Sequence, residues 1–451
     1  MRRIQLPAVF VILSICAVVA PAQEPAAGPV TLVHAGELLA KPGWSPAKEQ
    51  TGVVRGERIE QVVDGYLDAG ALGLAGDVQV VDLRDSFVLP GLTDLHTHIT
   101  SELGPDSKIA SVTLTPVDNA LNAAVFLRRT LEAGFTTIRN TGGDPEVMFP
   151  LRRGVAAGKI AGPRILAAGA GVANTGGHAD NHGLREEILE LYRSSGICDG
   201  VDDCRRAVRT QIKRGSDWIK ITASGGVLSE TAAGVGQQLF DDELVAIVRT
   251  AAMMGRHVAA HAHGTDGINA ALRAGVRTIE HGTYSDDESF ELFKSQGAFL
   301  VPTILAGKTV EEMASQSDFM PAPIREKALS VGPHMLDMVR RAHEAGVAIA
   351  FGTDSGVSPH GQNAREFDLL VQAGLSEMEA IVTATVTAAR VLEMEEEIGA
   401  IRPGLRADLI ATPGSPLDDI GELRRVEFVM KDGRIYKDGG SPVLPAMPPR
   451  G

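Results

Sequence analysis

Between residues 30 and 90, apolar positions come in short runs broken by turn residues. VTLVHAGELLA, GVVRGERIEQVV and DVQVVDLRDSFVLP are β-rich stretches separated by Gly and Asp. The far end answers them: ADLIATPG and RRVEFVMKDGRIYKDG offer a strand, a Lys-Asp-Gly turn and a returning strand, the pattern of a hairpin. Two β-rich ends around a long middle predict one small β-sandwich domain built from residues 23–88 and 401–451.

From residue 89 to 400 the pattern changes. Helical stretches such as VDNALNAAVFLRRTLEAG alternate with short apolar strands: FVLPGLTDLH, FTTIRN, RILAAGAG, DWIKITAS, HVAAHAHG, RTIEHGT, AFLVPTIL and AIAFGTDSG. Eight strand candidates alternating with helices predict an α/β fold, an eight-stranded parallel TIM-like barrel. An open doubly wound sheet is the alternative, but no glycine-rich nucleotide fingerprint follows any of these strands.

Composition refines this picture in three places. Only 4% of residues are aromatic, so the core must be mainly aliphatic. Met1-Arg2-Arg3, an apolar run from Ile4 to Ala20 and the small-x-small Ala20-Pro21-Ala22 read as a signal peptide over residues 1–22, predicting an exported protein, periplasmic or secreted. The apolar run is short for a membrane anchor, and bulky Ile15 argues against lipid attachment at Cys16. Removing the leader takes Arg2 and Arg3 and no acid, moving the net charge from −14 to −16, which opposes nucleic acid or an anionic membrane as partner. Cys198 and Cys204 then remain, flanking DGVDD; in an oxidising compartment they read as a disulfide, with two free thiols as the alternative.

The strand ends carry the chemistry. The first ends in His96-x-His98, the second in Arg139-Asn140, the third runs into GGHAD with His178, and the fourth carries Lys220. The fifth ends in His261-Ala262-His263, the sixth in His281, the eighth in Asp354. In a barrel these ends share one face, the face that holds active sites. Seven of the 12 histidines (96, 98, 178, 182, 261, 263, 281) lie in or near them. Imidazoles with a carboxylate suit zinc or another first-row divalent ion, and His96 and His98 share a side of an extended strand. Lys220, in the apolar run WIKIT, is either a neutral amine able to add carbon dioxide as a carbamate or a lysine reaching solvent.

These residues, with PGLTDLHTH, GFTTIRN, HAHG, IEHGT, FGTDSG and GAIRPGLRADLI, resemble the amidohydrolase superfamily over nearly the whole chain after the leader. Within it the likeness is to the prolidase-like metal-dependent carboxypeptidases and the ochratoxin-degrading amidohydrolases. The resemblance implies two divalent ions, zinc foremost. His96, His98 and Asp354 would hold one, expected to be the more buried. His261 and His281 would hold the other, with carboxylated Lys220 between them. His263 would face substrate or support the ligands. The implied reaction is hydrolysis of a small-molecule amide, a dipeptide or an N-acyl amino acid with a free C-terminal carboxylate, including ochratoxin-like amides. Asp354 and His178 would be catalytic. Arg139 would bind the carboxylate unless it serves a structural ion pair, while Gly225, Gly226 and Tyr284 would line the substrate site. A homo-oligomer is expected. Arg139-Asn140 departs from the Arg-Asp pair of many relatives and removes one carboxylate from the neighbourhood. The rival readings are a cyclic-amide hydrolase or deaminase on the same scaffold, imidazolonepropionase-like, and a periplasmic metal-binding protein without catalysis.

Overall fold

The structure is a computed structural model that describes residues 28–229, 234–316 and 320–443. The leader at residues 1–22 and Cys16 lie outside the described residues. Among those described, no helix is long and apolar enough to cross a membrane.

The two chain ends meet in one eight-stranded sheet. Its hub is the 13-residue strand Val78–Pro90. This strand pairs in parallel with Val30–Leu38 and, through Phe87 to Pro90, antiparallel with Leu409–Thr412. One long strand serves both halves, so the two chain ends form one continuous sheet, consistent with the expected small β domain. Its two halves still share a core, in which Val33, Leu38 and Ile59 pack with Leu409, Phe428 and Met430. The predicted hairpin joins Phe428–Lys431 to Arg434–Asp438. Asp432 and Gly433 at its tip have φ of 49° and 70°, as a two-residue turn of primed type requires. Only glycine fits at Gly433, where a Cβ would lie 1.9 Å from the Gly56 carbonyl oxygen.

The middle of the chain is α/β. Leu92–Thr97, Phe135–Asn140 and Arg164–Ala167 form a three-stranded parallel sheet. Ile219–Thr222, Val258–Ala262, Thr278–His281 and Phe299–Val301 form a four-stranded one. Most of these strands are buried along their whole length, as parallel strands covered by helices must be. Parallel bridges run on from both sheets: Val172 to Ile221, Leu300 to Ile349, and Thr97 to Ser355. The segment 348–355 thus lies between Phe299–Val301 and Leu92–Thr97, with Leu95 N donating to Phe351 O (3.0 Å) and Asp354 N to His96 O (2.7 Å).

Local chemistry sets the element ends. Thr115 caps Pro116–Glu132 through a reciprocal pair with Asp118, with proline at the first helical position. The predicted strand AFLVPTIL stops at Val301, and Ile304–Gln316 is helical instead. The buried Glu366 carboxylate accepts from Ile304 N (2.9 Å) and Leu305 N (2.6 Å) and so caps that helix from a distant segment.

Candidate metal centre

Strand pairing brings the predicted ligands into two groups. His96 and His98 point the same way from the end of Leu92–Thr97. Their Nε2 atoms lie 3.4 and 3.2 Å from Asp354 Oδ1. His261, His263 and His281 form the second group, from two neighbouring strand ends. Within each group the potential ligand atoms lie within 4.8 Å of one another. The groups adjoin: the His96 and His281 rings are 5.1 Å apart. His281, Thr303 and Asp354 all have positive φ, an uncommon backbone state for such residues and one that gathers at functional sites.

Lys220 is buried, and its Nζ has no hydrogen-bond partner. An ammonium left so would be costly, and burial lowers its pKa to about 8. The same burial holds His96 down to about 4 and His178 and His263 to about 3. It pushes His261 and His281 well below their ordinary value as well. Neutral imidazoles and an amine that loses its proton easily are the ligand-competent forms. The donor set therefore fits divalent metal ions.

The ring nitrogens turned away from these contacts are braced. His96 Nδ1 meets Glu280 Oε2 at 2.7 Å, and Glu280 Oε1 accepts from Arg139 at 2.8 Å. Burial pushes the Glu280 carboxyl up, but the Arg139 guanidinium, His96 and Lys220 together outweigh it and keep the group ionised below its usual range. His263 Nδ1 meets Thr283 Oγ1 at 2.8 Å, and His281 Nδ1 meets Thr303 Oγ1 at 2.7 Å. Asp94 accepts from His96 N (3.0 Å), Thr353 N (3.1 Å), Thr353 Oγ1 (2.5 Å) and Asn363 Nδ2 (2.7 Å). It thereby joins the strand bearing His96 to the residue before Asp354.

Residues 87–436 match the amidohydrolase family. The chain belongs to that family. It is 32% identical to the ochratoxinase of Aspergillus niger over 432 residues, 91% of this chain and 87% of that one. A solved Xaa-Pro dipeptidase with methionine bound in its active site is 39% identical, with a TM-score of 0.84 over 90% of this chain and all (100%) of that one. A solved prolidase complexed with N-methylphosphonate-L-proline is 32% identical, with a TM-score of 0.82 over 91% of this chain and 100% of that one. This amidohydrolase falls in the prolidase-like and ochratoxinase group and is a hydrolase acting on amide bonds.

The remaining predicted residues are placed as follows. His178 stacks on His261, ring centres 4.1 Å apart, and its buried Nδ1 has no partner. A Cβ at Gly226 would lie 2.2 Å from the His178 ring, so this glycine is what lets the ring in. The Gly225 carbonyl lies 3.3 Å from His261 Nε2. Tyr284 N donates to His263 O (3.0 Å), and its ring leans on His334 at 5.4 Å. His182 Nε2 lies 2.8 Å from Gly177 O. The structure joins Cys198 and Cys204 in a disulfide, with Cα atoms 4.9 Å apart.

Arg139 is a correction. It is fully buried, donates to Leu95 O (2.6 Å), Thr278 Oγ1 (3.1 Å) and Glu280, and lies over the Trp218 ring at 4.6 Å. With its donors engaged and no access to solvent, it cannot bind a substrate carboxylate; it is the structural ion pair. Burial order is also reversed from the expectation: the second group is wholly buried, whereas the His98 side chain is 32% exposed. Asn140 has a structural role that explains the departure at this position, its Oδ1 accepting from Ile99 N and its Nδ2 donating to Gly142 O, both at 2.8 Å. The residues missed from sequence are Glu280, Asp94, Thr283 and Thr303. Glu280 had a readable signal: a carboxylate inside the apolar strand TIEH must be paired.

Proposed function

We propose that this protein is an exported, binuclear metal-dependent amidohydrolase that cleaves the amide bond of dipeptides or N-acyl amino acids with a free C-terminal carboxylate. The catalytic strands would close as an eight-stranded barrel, a reading supported by the bridges at Val172, Ile349 and Ser355. The observation that carries the two-metal reading is Lys220: a buried amine without a partner, set among two groups of ligands. Carboxylated by carbon dioxide, Lys220 would become an anionic ligand shared by both ions. His96, His98 and Asp354 would hold one ion, and His261 and His281 the other, with His263 beside them.

Bound divalent ions would supply Lewis acidity and a water of lowered pKa. Asp354 would take the proton from that water and deliver it to the leaving nitrogen. His178, held neutral by burial and stacked on His261, would steady the carbonyl oxygen by hydrogen bonding. With Arg139 engaged elsewhere, the charge facing the substrate carboxylate would be that of Lys327. Its field already acts on His178 and His263, and it donates to the carbonyls of Gly226 (2.7 Å) and Ser229.

The test is a screen of the zinc-loaded protein against dipeptides, N-acyl amino acids and their C-terminally amidated forms. Hydrolysis is expected for the free acids, with a much lower kcat/KM for the amidated forms. Turnover of a cyclic ureide or an amine, with every amide untouched, would contradict the proposal.

A further inference from the structure

Beside the first histidine group but lined by none of its residues, a cavity of about 480 Å³ lies between the helix Pro116–Glu132, the loop leading into the helix Arg365–Gln372, and the hairpin strand Arg434–Asp438. None of the proposed metal-site or substrate residues lines it. Its charged lining is Arg129, Arg365, Arg424 and Lys437 against one carboxylate, Glu132. In a chain of net charge −14 that local excess of cations runs against the whole.

None of the three arginines has a tight carboxylate partner. Arg129, Arg365 and Arg424 face Glu102, Glu312 and Asp368 at 4.0, 4.0 and 3.6 Å, beyond hydrogen-bond reach, and Arg365 donates to the uncharged Gln362 Oε1 at 3.2 Å. The lone carboxylate, Glu132, is already paired outward with Arg128 at 2.6 Å. Lys437 donates to an uncharged partner, the Glu132 main-chain oxygen, at 3.1 Å, and its burial disfavours the charged form. Leu423 and Val426, both buried, add an apolar surface to the same cavity. The volume is that of an ordinary small-molecule site.

We propose that this cavity is an effector site for a small amphiphilic anion, its carboxylate or phosphate head held by Arg129, Arg424 and Lys437 and its apolar body against Leu423 and Val426. One wall of the cavity reaches the metal centre by hydrogen bonds linked through the His360–Gly361 peptide. His360 N donates to Glu102 Oε1 (2.7 Å), the carboxylate facing Arg129. Gly361 N donates to Asn363 Oδ1 (3.2 Å), and Asn363 Nδ2 donates to Asp94 Oδ2 (2.7 Å). Asp94 holds both His96 N and Thr353 N, so a ligand that draws Arg129 from Glu102 acts on the segment carrying Asp354.

The experiment titrates the zinc-loaded full-length protein with benzoate and phenyl phosphate by calorimetry. Phenol and sodium chloride at matched ionic strength serve as controls, and hydrolysis is assayed in parallel. Expected are saturable binding of at least one anion but neither control, and a change of at least about twofold in kcat or KM. Both responses should weaken at least about tenfold in Arg424→Gln/Lys437→Gln, with hydrolysis in the absence of anion unaltered, and in Arg129→Gln, where loss of the contact with Glu102 should itself shift kcat or KM. Tighter phenyl phosphate identifies a phosphate head, and tighter benzoate a carboxylate head. Three results would overturn the proposal: no saturable binding of either anion, binding undiminished in both variants, or binding that leaves kcat and KM unchanged.

Discussion

The two histidine groups are neighbours, yet they are held in different ways. His96 is braced by an ionised carboxylate, Glu280, itself locked by Arg139, and its strand is tied to the Asp354 segment by Asp94. His263 and His281 are braced only by the neutral hydroxyls of Thr283 and Thr303. Hydrogen bonds to ionised groups are roughly twice as strong as neutral ones, and a carboxylate behind an imidazole makes it a more basic ligand. The first group, although its His98 is the more open to solvent, is therefore the electrostatically reinforced one. The second relies on burial. Backing, more than depth, should set the order in which metal leaves.

The largest effect tests what both groups share. Asp354→Ala removes the proposed proton acceptor and one ligand, and hydrolysis should fall by about 10³-fold or more in a steady-state assay. Activity kept within tenfold would remove Asp354 from its role.

The next pair of variants separates the groups. Glu280→Gln leaves Arg139 buried beside a neutral amide, so it should destabilise the fold by about 3–5 kcal/mol in denaturant titration. It should also weaken retention of one metal by about 10–100-fold in chelator competition. Thr303→Val removes a neutral brace and should weaken metal retention several-fold less. Equal losses would erase the distinction between the groups.

A pH titration of the metal-stripped protein reads the buried imidazoles together. His96, His178 and His263 have folded-state pKa values of about 4, 3 and 3, below the 6.5 of the unfolded chain. Their contribution to stability is present above pH 6.5 and is lost as pH falls through that value towards 3, because the unfolded state binds more protons. The Tm should therefore decline over that window, and zinc should restore part of it. A Tm independent of pH from 7 to 4 would show that the rings are not held neutral.

The smallest effect is expected at Asn140. Asn140→Asp keeps the acceptor for Ile99 N and loses only the donor to Gly142 O. It should alter kcat/KM by no more than a few-fold; a collapse of activity would make Asn140 more than a loop brace.

How much was legible follows the same division. His96, His98, His261, His281 and Asp354 stood out as candidate ligands because few residue types bind metals and each follows an apolar run, and Lys220 because it lies inside one, WIKIT. The bracing residues were hidden, because Glu280 and Arg139 lie 141 residues apart and only strand pairing makes them partners. Arg139 read as a substrate cation because its burial is a tertiary property. AFLVPTIL read as one strand because apolar runs do not show where a distant carboxylate, Glu366, will start a helix. The small β domain was legible in the matching β-rich chain ends, but not that one strand, Val78–Pro90, is long enough to pair with both.

The central claim is that Lys220 unites the two groups into one binuclear centre. Metal content per chain, measured after zinc loading and removal of free ion, tests it most directly in the native protein and in Lys220→Ala. The account predicts two ions per chain in the native protein and one or fewer in the variant, with hydrolysis lost alongside. A native protein holding one ion or fewer, or a Lys220→Ala protein that keeps two ions and full activity, would contradict it.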